Sequence, residues 1–127
     1  MNDIFRSDIN TIVNEALQEV LPDSAVKKAL EGKNFSGDIY LVAIGKAAWQ
    51  MANAAVRFLP KPIKNGIVIT KYKHVKGNIP GVTCFEAGHP VPDENSFKAT
   101  RAVLSMCAAL NETDEVLFLV SGGGSAL

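Results

Sequence analysis

An open, mostly parallel β-sheet with helices on both faces is the fold class this sequence predicts, and three observations predict it. Its strands read as unbroken apolar runs, of which Ile39-Tyr-Leu-Val-Ala-Ile44 and Val116-Leu-Phe-Leu-Val120 are the clearest, the pattern of strands covered on both faces. Stretches of helical period separate those runs, and strands that alternate with helices build layered α/β sheets. The chain has 127 residues, 47% of them hydrophobic, enough for one core without disulfides or a structural metal.

Each element follows from its own pattern. From Asp3 to Leu21 the apolar residues Phe5, Ile9, Ile12, Val13, Ala16, Leu17 and Val20 recur every three or four positions and share one helix face; Pro22 ends that helix. A short helix over Ser24 to Leu30 closes at Gly32, and Asn34 to Asp38 reads as a loop. The first strand is Ile39 to Ile44. After Gly45 an alanine-rich helix, Lys46 to Phe58, stops ahead of Pro60 and Pro62. Gly66 to Thr70 and Val82 to Glu86 are the next strands. Asn95 to Leu110 is a helix with Val103, Cys107 and Leu110 on one side, and Val116 to Val120 is a fourth, buried strand running into Ser121-Gly-Gly-Gly-Ser125. The whole is Rossmann-like. A triglycine loop after a strand should lead into a helix that packs back on the sheet, so a sequence stopping at Leu127 is expected to be the front part of a longer enzyme.

Charge and cysteine usage exclude several classes. Thirteen basic and thirteen acidic side chains cancel, and the pI is near 6.7, so nothing in the global charge recruits nucleic acid or anionic lipid. Between Arg57 and Phe85, however, lie Arg57, Lys61, Lys64, Lys71, Lys73 and Lys76 with no carboxylate, either a solvated surface or an edge biased toward anions. Cys84 and Cys107 each sit in an apolar run, as small packed hydrophobes in a reducing compartment would. The first residues, from Met1 onward, lack a signal-like apolar core, and no segment reaches the ~18 apolar residues of a membrane span. The expected address is the cytoplasm.

In such a sheet ligands settle beyond the carboxyl ends of the strands, so the loops after Ile44, Thr70, Glu86 and Val120 carry the chemistry. Gly45-Lys46 opens a helix, where free N–H groups and the positive dipole end attract an anion and the lysine adds a charge; alternatively its glycine only permits close packing. Ser121, Gly122, Gly123, Gly124 and Ser125 can bring N–H and hydroxyl donors to phosphate oxygens, or mark a flexible loop. This loop matches neither the Walker pattern nor Gly-x-Gly-x-x-Gly. Pro90 and Pro92 stiffen a loop presenting His89 and Asp93, with His89 a proton carrier, an anion ligand or a structural imidazole. Asn95 is the expected cap of the following helix. Lys71 either holds an anion at the sheet's edge or is solvated. Trp49 and Met51 read as core. No spaced His/Cys/Asp cluster suggests a transition metal.

Four segments together, Val42-Ala-Ile-Gly-Lys-Ala-Ala48, Gly66-Ile-Val-Ile-Thr70, Glu86-Ala-Gly-His-Pro-Val-Pro-Asp-Glu-Asn-Ser96 and Leu117-Phe-Leu-Val-Ser-Gly-Gly-Gly-Ser-Ala-Leu127, resemble the N-terminal part of the glycerate 2-kinase family. These are class II kinases with a C-terminal MOFRL domain, some of them labelled hydroxypyruvate reductases. The resemblance covers nearly the whole chain, residues 1–127, as the N-terminal part of the Rossmann-like domain, with its remainder and the MOFRL domain absent. It implies phosphoryl transfer from ATP, with Mg²⁺, to D-glycerate, giving 2-phosphoglycerate and ADP. It places the family's lysine on Lys46, Gly45 and the Ser121 to Ser125 loop on the phosphate side, and His89, Asp93 and Lys71 on the substrate side. It also implies a catalytic arginine beyond this chain, so the 127 residues alone are expected to be inactive. Homo-oligomerisation is left open. Two other readings stand beside it: hydride transfer to hydroxypyruvate, which lacks its glycine fingerprint, and a non-catalytic sugar-phosphate module like the SIS domains.

Overall fold

The computed structural model describes residues 3–127, the side chains of Phe5, residues 15–20 and Ala126 excepted. Helices α1 (Asp3–Val20) and α2 (Pro22–Leu30) come first. They are followed by β1 (Ile39–Ile44), α3 (Ala48–Phe58), β2 (Asn65–Lys71), β3 (Val82–Ala87), α4 (Glu94–Ala108) and β4 (Glu115–Val120). Pro22 separates the first two helices by opening the second, where a missing N–H costs nothing.

The four strands form one sheet in the order β3-β2-β1-β4, and all three pairings are parallel. Their carboxyl ends therefore lie along one edge, as the apolar runs predict. The chain leaves β1 toward β2 on one side and returns to β4 on the other. Strand order thus reverses between β1 and β4, and the crevice above that reversal is where open α/β sheets take ligands.

Alternate residues of a strand face opposite ways, and the two cores follow that rule. Leu41, Ala43 and Val68 pack with Val26 of α2 and with Met51, Ala52 and Ala55 of α3. Val42, Ile67 and Ile69 pack on the other face with Ala99 and Met106 of α4. The sheet has helices on both faces, which is the expected α/β class.

Three expectations change. Among the described residues strand β4 is only partly covered: Leu117 and Leu119 pack toward α3 and Val116 toward the α4 side, whereas Phe118 and Val120 are 56% and 69% exposed, because α4 lies mainly across β2 and β3. Helix α4 buries Ser96, Ala99 and Met106; Val103 packs against the same core as expected, but Cys107 is only half-buried and Leu110 falls beyond the helix. Helix α1 has its predicted extent, but Ile4, Ile9, Ile12 and Val13 of it are exposed. The facing of Phe5, Ala16, Leu17 and Val20, and the reading of Met1 and Asn2 as no leader, lie outside the described residues.

Candidate functional site

The loops after β1 and β4 lock together across the switch point. Strand β1 hands over to the turn at Gly45, whose N–H donates to Ile69 O at 3.1 Å. Lys46 N–H then donates to Gly122 O at 3.0 Å, Ala47 N–H to Ser121 Oγ at 3.0 Å, and Ala48 N–H to Gly45 O at 3.1 Å. Helix α3 starts at Ala48 with no side-chain cap of its own; Ser121 supplies the acceptor from the far side of the crevice. The anion cradle of free N–H groups expected at Gly45 to Lys46 is therefore absent, since every amide from Gly45 to Ala48 has a protein partner. The lysine side chain, exposed above the crevice, is what this loop offers an anion.

Gly45 sits at φ +123°, and a Cβ there would collide with Ser121 Oγ, so glycine is the residue that lets the two loops touch. The triglycine loop behaves differently. Ser121 N–H continues the sheet pattern to Ile44 O, and Gly124 N–H closes a turn onto Ser121 O. The amides of Gly122 and Gly123 have no partner among the described residues. Gly123 takes φ +83°, and a Cβ on it would lie 2.6 Å from His89 Nε2 and 3.4 Å from Lys46 Cε. Three loops thus meet at one point: the β1 loop through Lys46, the β3 loop through His89, and the β4 loop through Gly123.

His89 is half-buried there. Its pKa is pushed below the usual value near 6.5, first by partial withdrawal from water and then by the positive charges of Lys46, Lys71 and His74. Lys71, the last residue of β2, accordingly belongs to the same electropositive cluster. Both histidines do as well, although the sequence shows them fifteen positions apart in separate loops. His74 Nδ1 lies 3.0 Å from Lys46 O, and because a carbonyl can only accept, Nδ1 carries the proton.

Asp93 is used as a brace. Its Oδ1 accepts Ser96 N–H at 3.2 Å, Ser96 Oγ accepts Asp93 N–H at 3.0 Å, and the two make a reciprocal capping box at the start of α4. The helix cap is thus Asp93 and not Asn95. Asn95 instead donates to Tyr72 Oη at 2.8 Å, and Tyr72 Oη donates to Asp93 Oδ2 at 2.6 Å. The tyrosine hydrogen bond, followed by backbone N–H groups, holds the Asp93 carboxyl below the ordinary carboxylate range. These bonds fix the His89 loop to the end of β2.

A cavity of about 420 Å³ opens beside the crevice, lined by Lys46, Trp49, Lys73, His74 and Lys76 among others. Sequence reasoning set Trp49 in the core and read Lys73 and Lys76 only as members of a basic stretch, either solvated or biased toward anions, without naming them as site residues. Trp49 does pack against the core, but its indole N–H donates to Gly77 O at 2.9 Å and holds the β2–β3 loop against α3. The available signal was the carboxylate-free stretch from Arg57 to Phe85. Among the described residues no group of three or more His, Cys, Asp and Glu is placed to hold a metal, and no helix is long and apolar enough to cross a membrane.

The family described as "Domain of unknown function (DUF4147)" matches residues 8–127. The chain is 53% identical over 116 residues to the D-glycerate 2-kinase of Thermotoga maritima, covering 91% of this chain and 28% of that protein. It is 36% identical over 129 residues to a putative hydroxypyruvate reductase of Agrobacterium vitis, covering 99% of this chain and 28% of that one. The crystal structure of a glycerate kinase from Thermotoga maritima superposes with a TM-score of 0.90 at 49% identity, over 99% of this chain and 30% of its own. The chain therefore spans under a third of the length of these relatives.

Proposed function

The chain belongs to the DUF4147 family, and from that membership and its likeness to glycerate kinases we propose that it supplies one wall of the site at which ATP phosphorylates D-glycerate to 2-phosphoglycerate. In this reading it is the N-terminal part of the enzyme's Rossmann-like domain. The observation that carries the proposal is the convergence of Lys46, His89 and Gly123 at the switch point. Phosphoryl transfer asks a protein mainly to position donor and acceptor and to meet the charge that spreads over the transferred group. The Lys46 ammonium supplies a positive point charge, and the open amides of Gly122 and Gly123 supply donors on the opposite side.

The glycerate hydroxyl oxygen forms the new bond to the terminal phosphorus of ATP as the bond from that phosphorus to ADP breaks. His89 is mainly neutral at pH 7, because its pKa is depressed from a value already below 7, and in that form its imidazole can take the hydroxyl proton. Lys71 sits on the same side and suits the glycerate carboxylate. Asp93 acts indirectly, by holding the His89 loop. The reading includes Mg²⁺ as the companion of the ATP phosphates, as is usual for this ion. The unpaired thiols of Cys84 and Cys107 support a reducing, cytoplasmic setting.

The test is ADP formation from ATP, Mg²⁺ and D-glycerate by the protein expressed from its gene, with the product isomer read by phosphorus NMR. Lys46→Ala should lower kcat by about 10²- to 10³-fold, the range for removing one donor aimed at developing charge. An inactive wild type, or an unaffected Lys46→Ala variant, would sink the assignment. Hydride transfer has less support, because no loop here presents the dinucleotide glycine fingerprint.

A further inference from the structure

The cavity between the first turns of α3 and the loop joining β2 to β3 is more than an annex of the crevice. Its walls carry Lys46, Lys73 and Lys76, with His74 beside them, and no carboxylate lines it. None of these three lysines forms an ion pair among the described residues. The nearby acids are engaged elsewhere: Glu86 Oε2 accepts Val75 N–H at 3.1 Å, and Asp23 binds Gln50 and Arg57.

Nor are these lysines on a loose loop. It is tied to α3 by the Trp49 bond to Gly77 O, to Lys46 O by His74, to β2 by His74 N–H on Lys71 O, and to β3 by Glu86. At its turn Lys73 takes φ +69°, a left-handed conformation that a side-chain-bearing residue adopts at a cost of about 1–2 kcal/mol and that recurs at ligand clamps. Three lysines around one cavity on a braced loop, with no carboxylate in its lining, make a positive field that favours a ligand of several negative charges. A single carboxylate would leave most of that charge unmet.

We propose that this groove is the seat of the polyphosphate tail of a nucleoside triphosphate, with its terminal phosphoryl group at Lys46 and its acceptor on the His89–Gly123 side. The placement rests on the kinase reading above and divides that site into two. Lys46 belongs to both, since it lines the groove and its Cε approaches Gly123. The volume, about 420 Å³, lies within the range of small-molecule sites. Here the lysines act as point charges on phosphate oxygens, each such contact being a charge-assisted hydrogen bond.

The test uses the protein expressed from its gene, the double variant Lys73→Ala/Lys76→Ala, and Lys98→Ala on α4 as a control for net charge. In the double variant the KM for ATP should rise by about tenfold or more, with the KM for D-glycerate within about twofold of wild type and Lys98→Ala unchanged. Isothermal titration with inorganic tripolyphosphate should show a matching loss of affinity. An unchanged KM for ATP, or a rise in the KM for glycerate instead, would overturn the placement. If the wild type makes no ADP but binds tripolyphosphate through Lys73 and Lys76, the kinase reading fails while the groove stands as a polyphosphate site. If tripolyphosphate binding is indifferent to both lysines, the groove assignment fails whatever the activity.

Discussion

The loops after β1 and β4 sit side by side at the same edge of the sheet and follow paired strands; each depends on a glycine at positive φ, Gly45 in one and Gly123 in the other, yet they do opposite things with their backbones. The β1 loop spends its N–H groups inward, on Ile69 O, Gly122 O, Ser121 Oγ and Gly45 O. The β4 loop keeps the amides of Gly122 and Gly123 open among the described residues. One loop is a rigid mount for a charged side chain, and the other is a set of backbone donors. The difference teaches that glycine in a binding loop has two uses, close approach of chain to chain and close approach of chain to ligand. Only the hydrogen-bond partners tell them apart.

The largest effect should come from breaking the mount. Gly45→Ala places a Cβ against Ser121 Oγ at φ +123°, combining backbone strain with a clash, and should cost about 3 kcal/mol of stability, read from urea denaturation midpoints. Gly123→Ala should separate stability from activity. Its Cβ meets the tip of a side chain, His89 Nε2 at 2.6 Å, so the imidazole can move aside at a stability cost of about 1–2 kcal/mol. The displaced His89 and covered amide should then lower kcat/KM by about 10²-fold; a variant as destabilised as Gly45→Ala but fully active would reverse the roles assigned to the two loops.

Smaller still is Ser121→Ala, which strips the acceptor from Ala47 N–H and should cost about 1 kcal/mol in the same denaturation experiment. If that variant matches wild type, the β4 loop does not hold the start of α3.

The most delicate measurement is the titration of His89 by NMR of its ring. Its pKa should lie below the usual histidine value, rise in Lys46→Ala as one repelling charge is removed, and rise again when tripolyphosphate is added. The consequence for stability has a definite sign. With the folded pKa below the unfolded one, the unfolded state binds more protons as the pH falls from about 6.5 toward the folded value, so acidification through that window destabilises the protein. Above that window His89 contributes no pH dependence. A His89 pKa at or above the ordinary value would show that the three loops do not gather their charges as described.

Much of the fold was legible because its signals are local. The run Ile39 to Ile44 matches β1 residue for residue, and Pro22 and Pro60 stand at helix boundaries, since a period of two or 3.6 and a missing N–H act within a few residues of chain. The site was legible as a set of loops, but not as a set of partners. Val116 to Val120 reads as apolar as β1 does, yet Phe118 is exposed, because what covers a strand is another element whose path the strand does not encode. Asp93 and Asn95 are both good caps by residue type, and the choice between them went to the one whose carboxylate also receives Tyr72 from the end of β2.

The sequence by itself determined where strands and helices lie, that the sheet is parallel, and which four loops share its carboxyl edge. Tertiary structure alone decided which amides stay open, which lysines gather around Lys46, and that Trp49 holds a loop. Ala47 and Ser121 are 74 positions apart, and no local periodicity carries the pairing of a donor with an acceptor that distant. The pairing exists only once the sheet has brought β1 and β4 side by side.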